Sequence, residues 1–124
     1  MNIVAIGIIF RDSQVLLVFR KFSPQLWSPP GGFIDEGETP EEAIERESWE
    51  ETGVICKAIS KIHEFIFNQS HILVYTCSYI SGDLKCSYES THLGWFDINN
   101  LPSPISPDVE IFKNALLKFE KPVV

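Results

Sequence analysis

Three glutamates, Glu47, Glu50 and Glu51, stand at positions i, i+3 and i+4 of a segment with strong helical signals. Residues at that spacing share one helix face, so their carboxylates converge on a point beside the axis. Hard oxygen donors gathered in this way suit magnesium or manganese. On a helical wheel Ala43, Ile44, Glu47, Ser48, Glu50 and Glu51 fall on one side. Glu41, Glu42, Glu45, Arg46 and Trp49 fall on the other. The apolar residues that should dock the helix are therefore mixed with three like charges, a repulsion that a divalent cation relieves. The plain alternative is a solvated acidic helix. Two features weigh against it: the acids share a face with Ala43 and Ile44, and Pro29-Pro30-Gly31-Gly32 lies just upstream. Glycines there allow the backbone to approach an ion or a phosphate closely. A calcium loop at Asp35-Glu36-Gly37-Glu38 is excluded by its ligand spacing and by the helix start at Pro40.

The elements that must position these groups are legible around them. Thr39 suits a helix N-cap, Pro40 the first helical position, and Glu42 the third, which completes a capping box. Gly53 can close the helix in a left-handed conformation. Aliphatic runs at 2–10 and 14–20 predict two strands in a hairpin, and further runs at 55–60, 64–67, 72–80 and 94–98 predict more. Residues 23–32, with three prolines and two glycines, predict a loop, and Ser106-Pro107 a final helix bearing Val109, Phe112, Ala115, Leu116 and Phe119 on one face. The order of elements predicts a single mixed α/β domain over residues 1–124.

Composition narrows the classes further. Of 124 residues, 44% are apolar and 12% aromatic, enough for one core and incompatible with a disordered chain. No run approaches the ~20 apolar residues of a membrane helix, and no basic segment precedes an apolar one as in a signal peptide. Cys56, Cys77 and Cys86 are odd in number and lack metal-ligand spacing, which predicts free thiols in a reducing cytoplasm. The net charge of −7 is concentrated: residues 31–54 hold nine acids and one base, and the remainder is nearly balanced. A focused charge of this kind predicts a cation site, and the lack of a basic stripe argues against duplex nucleic acid.

Gly32-(five residues)-Glu38-(seven residues)-Arg46-Glu47-Ser48-Trp49-Glu50-Glu51-Thr52-Gly53-Val54 resembles the signature box of the Nudix (MutT-like) hydrolases. Every charged and glycine position agrees over 23 residues, and one position departs: Ser48 stands where the family has a bulky aliphatic residue. The expected consequence is looser packing against the sheet. Trp27 ahead of the glycines, and Gly94-Trp95-Phe96 followed by Leu101-Pro102, extend the likeness along the chain. The resemblance implies an α/β/α sandwich with a mixed sheet, and hydrolysis of a nucleoside diphosphate linked to another group, using magnesium or manganese. It implies metal ligation by Glu47, Glu50, Glu51 and the Gly31 carbonyl. Gly32, Glu38 and Gly53 would support the site, and Arg46 would orient the loop or a glutamate with Glu38 as its partner. In this family the base that takes the proton of the attacking water is sometimes a box glutamate and sometimes a later one, for which Glu89 and Glu64 are the candidates here.

Outside the box, Arg20 or Lys21 could hold a substrate phosphate, against the simpler reading of solvated strand ends. Phe22, Trp27 and Phe67 could stack on a base, with hydrophobic packing the default for Trp27. Trp49, on the outer helix face, suggests loop packing or a subunit contact, and a homodimer is an expectation from the family. His63, His71 and His92 lack metal-ligand spacing. A small nucleotide-type substrate is the expected partner, with no membrane. The alternative function is a Nudix-like domain that binds or senses a nucleotide without cleaving it; the intact box glutamates favour catalysis.

Overall fold

The computed structural model describes residues 1–88 and 90–120. Strands β1 (Asn2–Arg11) and β2 (Gln14–Arg20) form the expected hairpin, but it pairs only at Phe10–Val15 and Arg11–Gln14 before the strands part. The gap is used by the proline- and glycine-rich segment. That segment holds two short strands, β3 (Trp27–Ser28) on β2 and β4 (Gly31–Phe33) on β1 at Val4 to Ile6, where a continuous loop was expected. Helix α1 (Pro40–Thr52) follows, then β5 (Ile55–Phe67), β6 (Ser70–Ser81), β7 (Ser90–Asp97) and helix α2 (Val109–Glu120). The seven strands make one sheet in the order β3-β2-β1-β6-β5, with β4 paired to β1 and β7 to β2. β1 and β6 run parallel and the other pairs antiparallel, so the sheet is mixed. The runs at 55–60 and 64–67 are one strand, because irregularities at Ala58/Ser60 and Lys61/His63 each absorb an extra residue and let pairing continue.

The sheet is buried on both faces, which is why its central strands are apolar throughout. Ala5, Ile9, Leu16, Val54 and Cys77 pack with Ile44 of α1, whereas Ile8, Phe10, Val15, Leu17 and Val74 pack with Phe112 and Ala115 of α2. The alternation along β1 sends successive side chains to opposite helices. This is the α/β/α sandwich. Among the described residues no helix is long and apolar enough to cross a membrane.

Both ends of α1 are fixed by local chemistry. Thr39 and Glu42 form the reciprocal capping box, and Gly53 ends the helix at φ 81° with its amide donating to the Trp49 carbonyl. The last turn contains a feature that apolar patterning does not report. Ser48 is fully buried, and its hydroxyl donates to the Val54 carbonyl at 3.0 Å. Thr52 Oγ1, also fully buried, donates to the Ser48 carbonyl at 2.6 Å and accepts from the Val54 amide at 3.1 Å. The expectation of loose packing at Ser48 is therefore corrected: the serine replaces an aliphatic contact with a hydrogen bond that ties α1 to the start of β5.

Ser48→Ala leaves a buried carbonyl unpaired and should cost about 1–3 kcal/mol. Ser48→Leu loses the same bond and must place a larger side chain in filled space, so it should also lower the melting temperature. Urea melts of the two variants check this, and a Ser48→Leu protein more stable than the parent would contradict it.

Candidate active site

The site forms where β4 runs beside α1. A Cβ on Gly32 would lie 2.8 Å from both Cδ and Oε2 of Glu47, so any larger residue would push that carboxylate from its place. On Gly31 a Cβ would collide with the Ala5 carbonyl oxygen. The Gly31 amide donates to Glu51 Oε1 at 3.0 Å. The two glycines thus bring main chain against two of the three inner glutamates, with the Gly31 N–H on Glu51 and Gly32 beside Glu47.

Arg46 organises the rest. Its Nε and Nη2 grip Glu38 at 2.8 and 3.0 Å in a two-pronged pair, and Nη1 donates to Glu47 Oε1 at 2.6 Å and to Glu50 Oε2 at 3.3 Å. Nη2 also donates to the Phe33 carbonyl at 3.2 Å and lies 3.4 Å from Asp35 Oδ2. The partnership with Glu38 is the one expected from the sequence. The wheel, however, set Arg46 on the side away from the glutamates. The long side chain reaches back across the helix, a path that a wheel of Cα directions does not represent.

The charges respond to this packing. The Arg46 hydrogen bond, aided by the Asp35 amide, holds the Glu38 carboxyl down at about 2. Glu38 therefore stays ionised, and its grip on Arg46 stays closed, until the pH falls well below the usual carboxylate range. The contacts to Glu38 and Glu47 raise the pKa of Arg46 further. Glu47 moves up instead, because burial outweighs its bond to Arg46 and the neighbouring Glu50 charge adds to the effect. A half-buried carboxylate crowded by two others is the kind of hard, anionic donor set that a divalent cation fits. Among the described residues no three acidic, cysteine or histidine side chains stand ready-made at ligating distances, since Glu47 and Glu50 turn toward Arg46.

The other candidates are placed as follows. Trp27 is half-buried, edge-on to Phe19 and Phe96 in the core that α2 covers, so it follows the packing reading and stands on the sheet face opposite α1. Arg20 is exposed at the end of β2, with its amide on the Leu26 carbonyl, and is not among the ion-pair partners of the box glutamates. Glu64 pairs with Lys61 and His71 on the β5–β6 ribbon, not with the box. Glu89 lies outside the described residues. Phe22 and Trp49 are exposed, 60% and 61% respectively, and Phe67 is exposed at the end of β5. Glu45, assigned to the outer face, accepts the Ala58 amide at 3.0 Å, at the strand irregularity where that donor is available, and anchors α1 to β5. Nothing in the apolar or charge pattern marked that contact, which depends on a bulge 13 residues away.

Gly32→Ala should displace Glu47 and reduce turnover at least ~10-fold while the protein still folds, as the obstructing atoms belong to a side chain. Arg46→Lys keeps the charge but loses the fork, and should cost a similar factor. Steady-state rates alongside thermal melts check both; unchanged turnover in either would remove that residue from the site.

A NUDIX domain family model matches residues 1–115. The chain is 36% identical to the ADP-ribose pyrophosphatase of Methanocaldococcus jannaschii, over 89% of this chain and 70% of that protein. It is 34% identical to the NAD-capped RNA hydrolase NudC of Chromobacterium violaceum, over 90% of this chain but only 45% of the relative. Among solved structures, an ADP-ribose pyrophosphatase from Streptococcus suis superimposes with a TM-score of 0.83 at 21% identity, covering 97% and 92% of the two chains. A MutT NUDIX hydrolase from Burkholderia pseudomallei gives 0.76 at 27%, covering 93% and 97%. With the box glutamates, the glycine strand and the sandwich all in place, the chain belongs to the Nudix family of hydrolases, which cleave pyrophosphate linkages in nucleotide-linked compounds.

Proposed function

We propose that this chain hydrolyses the diphosphate bridge of a small, soluble nucleoside diphosphate carrying a second group, with Glu47, Glu50 and Glu51 holding magnesium or manganese. The observation that carries the reading is the packing of Gly31-Gly32 against Glu47 and Glu51 while Arg46 holds Glu47 and Glu50 from the other side. The names of two relatives, ADP-ribose pyrophosphatase and NAD-capped RNA hydrolase, fit a substrate with an adenosine diphosphate portion. The non-catalytic alternative has no observation in its favour. The three cysteines are free thiols, which suits a reducing compartment.

Bound metal would cancel charge on the diphosphate oxygens and lower the pKa of the attacking water. The protein's own contribution is positional. Arg46 Nη1 fixes one oxygen of Glu47 and leaves Oε2 facing Gly32; the Gly31 amide fixes Oε1 of Glu51. Each of these two carboxylates thus has one oxygen restrained by the protein, which fixes the direction in which it meets a ligand. Because Glu38 holds Arg46 through two bonds, the guanidinium keeps its orientation while Glu50, which is half-exposed, adjusts. Charge that spreads over the phosphoryl oxygens is stabilised mainly by such fixed groups. The proton acceptor is a box carboxylate or Glu89.

ADP-ribose and related nucleoside diphosphate sugars, incubated with magnesium or manganese, should yield a nucleoside monophosphate, and chelator should stop the reaction. Glu50→Gln and Glu51→Gln should each lower kcat on the order of 10²-fold, and Glu41→Gln and Glu42→Gln less than about twofold. Magnesium should raise the melting temperature of the parent and of the outer-face pair, but hardly that of the inner-face pair. Equal behaviour of the two pairs would return the helix to a solvated acidic surface.

A further inference from the structure

Strand β5 stands at one end of the sheet and, among the described residues, pairs only with β6, so its outer edge presents main-chain N–H and C=O groups to whatever lies beside it. The start of that edge is occupied, because the Ala58 amide donates to Glu45 of α1. Beyond it the strand carries exposed apolar side chains: Ile59 and Ile66 are 55% and 66% exposed. A groove of about 340 Å³ runs between β5 and α2, lined by Ile62, His63, Ile111, Asn114, Leu117 and Lys118. Leu117 in its wall is exposed as well.

A bulge ordinarily protects an edge, because the extra residue breaks the alternation that a neighbouring strand must match. Here it has the opposite effect on one register. Lys61 stands opposite Tyr75 and Glu64 opposite Leu73, both on the α1 face of β6, and the two charged groups meet at 3.1 Å. His63 stands opposite Val74 and Phe65 opposite Ile72, on the α2 face, where Ile62 packs too. In a regular strand residues three apart point to opposite faces. The irregularity between Lys61 and His63 puts Lys61 and Glu64 on the same one. The faces from 61 to 64 therefore run α1, α2, α2, α1, identical in both directions. An antiparallel second copy of β5, related by a two-fold axis between Ile62 and His63, meets this pattern face for face. Lys61 then lies opposite the second copy's Glu64, and Ile59 opposite its Ile66. A shift of one residue sets Lys61 opposite His63 or Phe65 instead, and mismatches the faces.

We propose that the protein forms a two-fold dimer through this edge, β5 pairing with β5 of a second copy so that the two sheets become one and the two grooves beside α2 join across the axis. Main-chain hydrogen bonds supply affinity, the crossed Lys61–Glu64 pairs set the register, and Ile59 and Ile66 leave water. No box residue takes part, so the dimer is tested apart from the hydrolase reading. Light scattering on the parent during gel filtration should give twice the mass of the chain, with dissociation on dilution. Lys61→Glu and Glu64→Lys each set like charges opposite one another twice, and each should weaken the dimer about 10-fold or more. Mixed in equal amounts, the two variants should recover the parent's affinity as a heterodimer, and so should the doubly reversed Lys61→Glu/Glu64→Lys protein, because opposite charges then face each other again. Both side chains are exposed, so each variant should keep the parent's far-ultraviolet circular dichroism. A parent that stays monomeric at about 100 μM, single reversals that leave the dimer intact, or a mixture that stays monomeric would each overturn this edge as the dimer surface.

Discussion

The arginine at the centre of the glutamate cluster is the interaction on which the rest of this structure depends. One helical turn carries Glu47, Glu50 and Glu51, which repel one another and resist burial. Arg46 offsets that repulsion by sharing one guanidinium nitrogen between Glu47 and Glu50 while its other two nitrogens are committed to Glu38. The fork geometry matters as much as the charge, because a planar donor set with fixed angles transmits the position of the 33–38 segment to the helix.

That segment is in turn positioned by the sheet. β4 is only three residues long, and it pairs with β1 because β2 leaves β1 after two residue pairs. The short hairpin contact and the two glycines are therefore parts of one arrangement: the first exposes an edge of β1, and the second allows the strand that fills it to pass beneath Glu47. The helix is held at its far end by the Ser48–Thr52–Val54 bonds and along its side by Glu45 on Ala58. A cluster of like charges keeps its geometry only on a support this constrained, since the carboxylates themselves favour separation.

The box side chains are held by α1 and the glycine strand, through the Gly31 amide on Glu51 and the Arg46 guanidinium on Glu47 and Glu50.

The sequence by itself determined the local elements and the composition of the site. The capping box of Thr39 and Glu42, the left-handed stop at Gly53, the i, i+3, i+4 glutamates and the Arg46–Glu38 partnership all arise from residues within a short stretch, where spacing maps onto geometry. Tertiary structure decided what depends on distant residues meeting. Fusion of residues 55–67 into one strand required bulges against β6, and the anchoring of Glu45 required the amide that such a bulge leaves available. Trp27 was drawn into the α2-side core by Phe19 and Phe96, which are remote in the chain from one another. Ser48 looked like a packing defect because a pattern records polarity and volume; only the folded chain brings the Val54 carbonyl to its hydroxyl and makes a polar residue the fitting one. Arg46 departs from its wheel position for the same reason: a wheel places Cα directions, whereas the reach of a long side chain is set by the partners that the fold assembles around it.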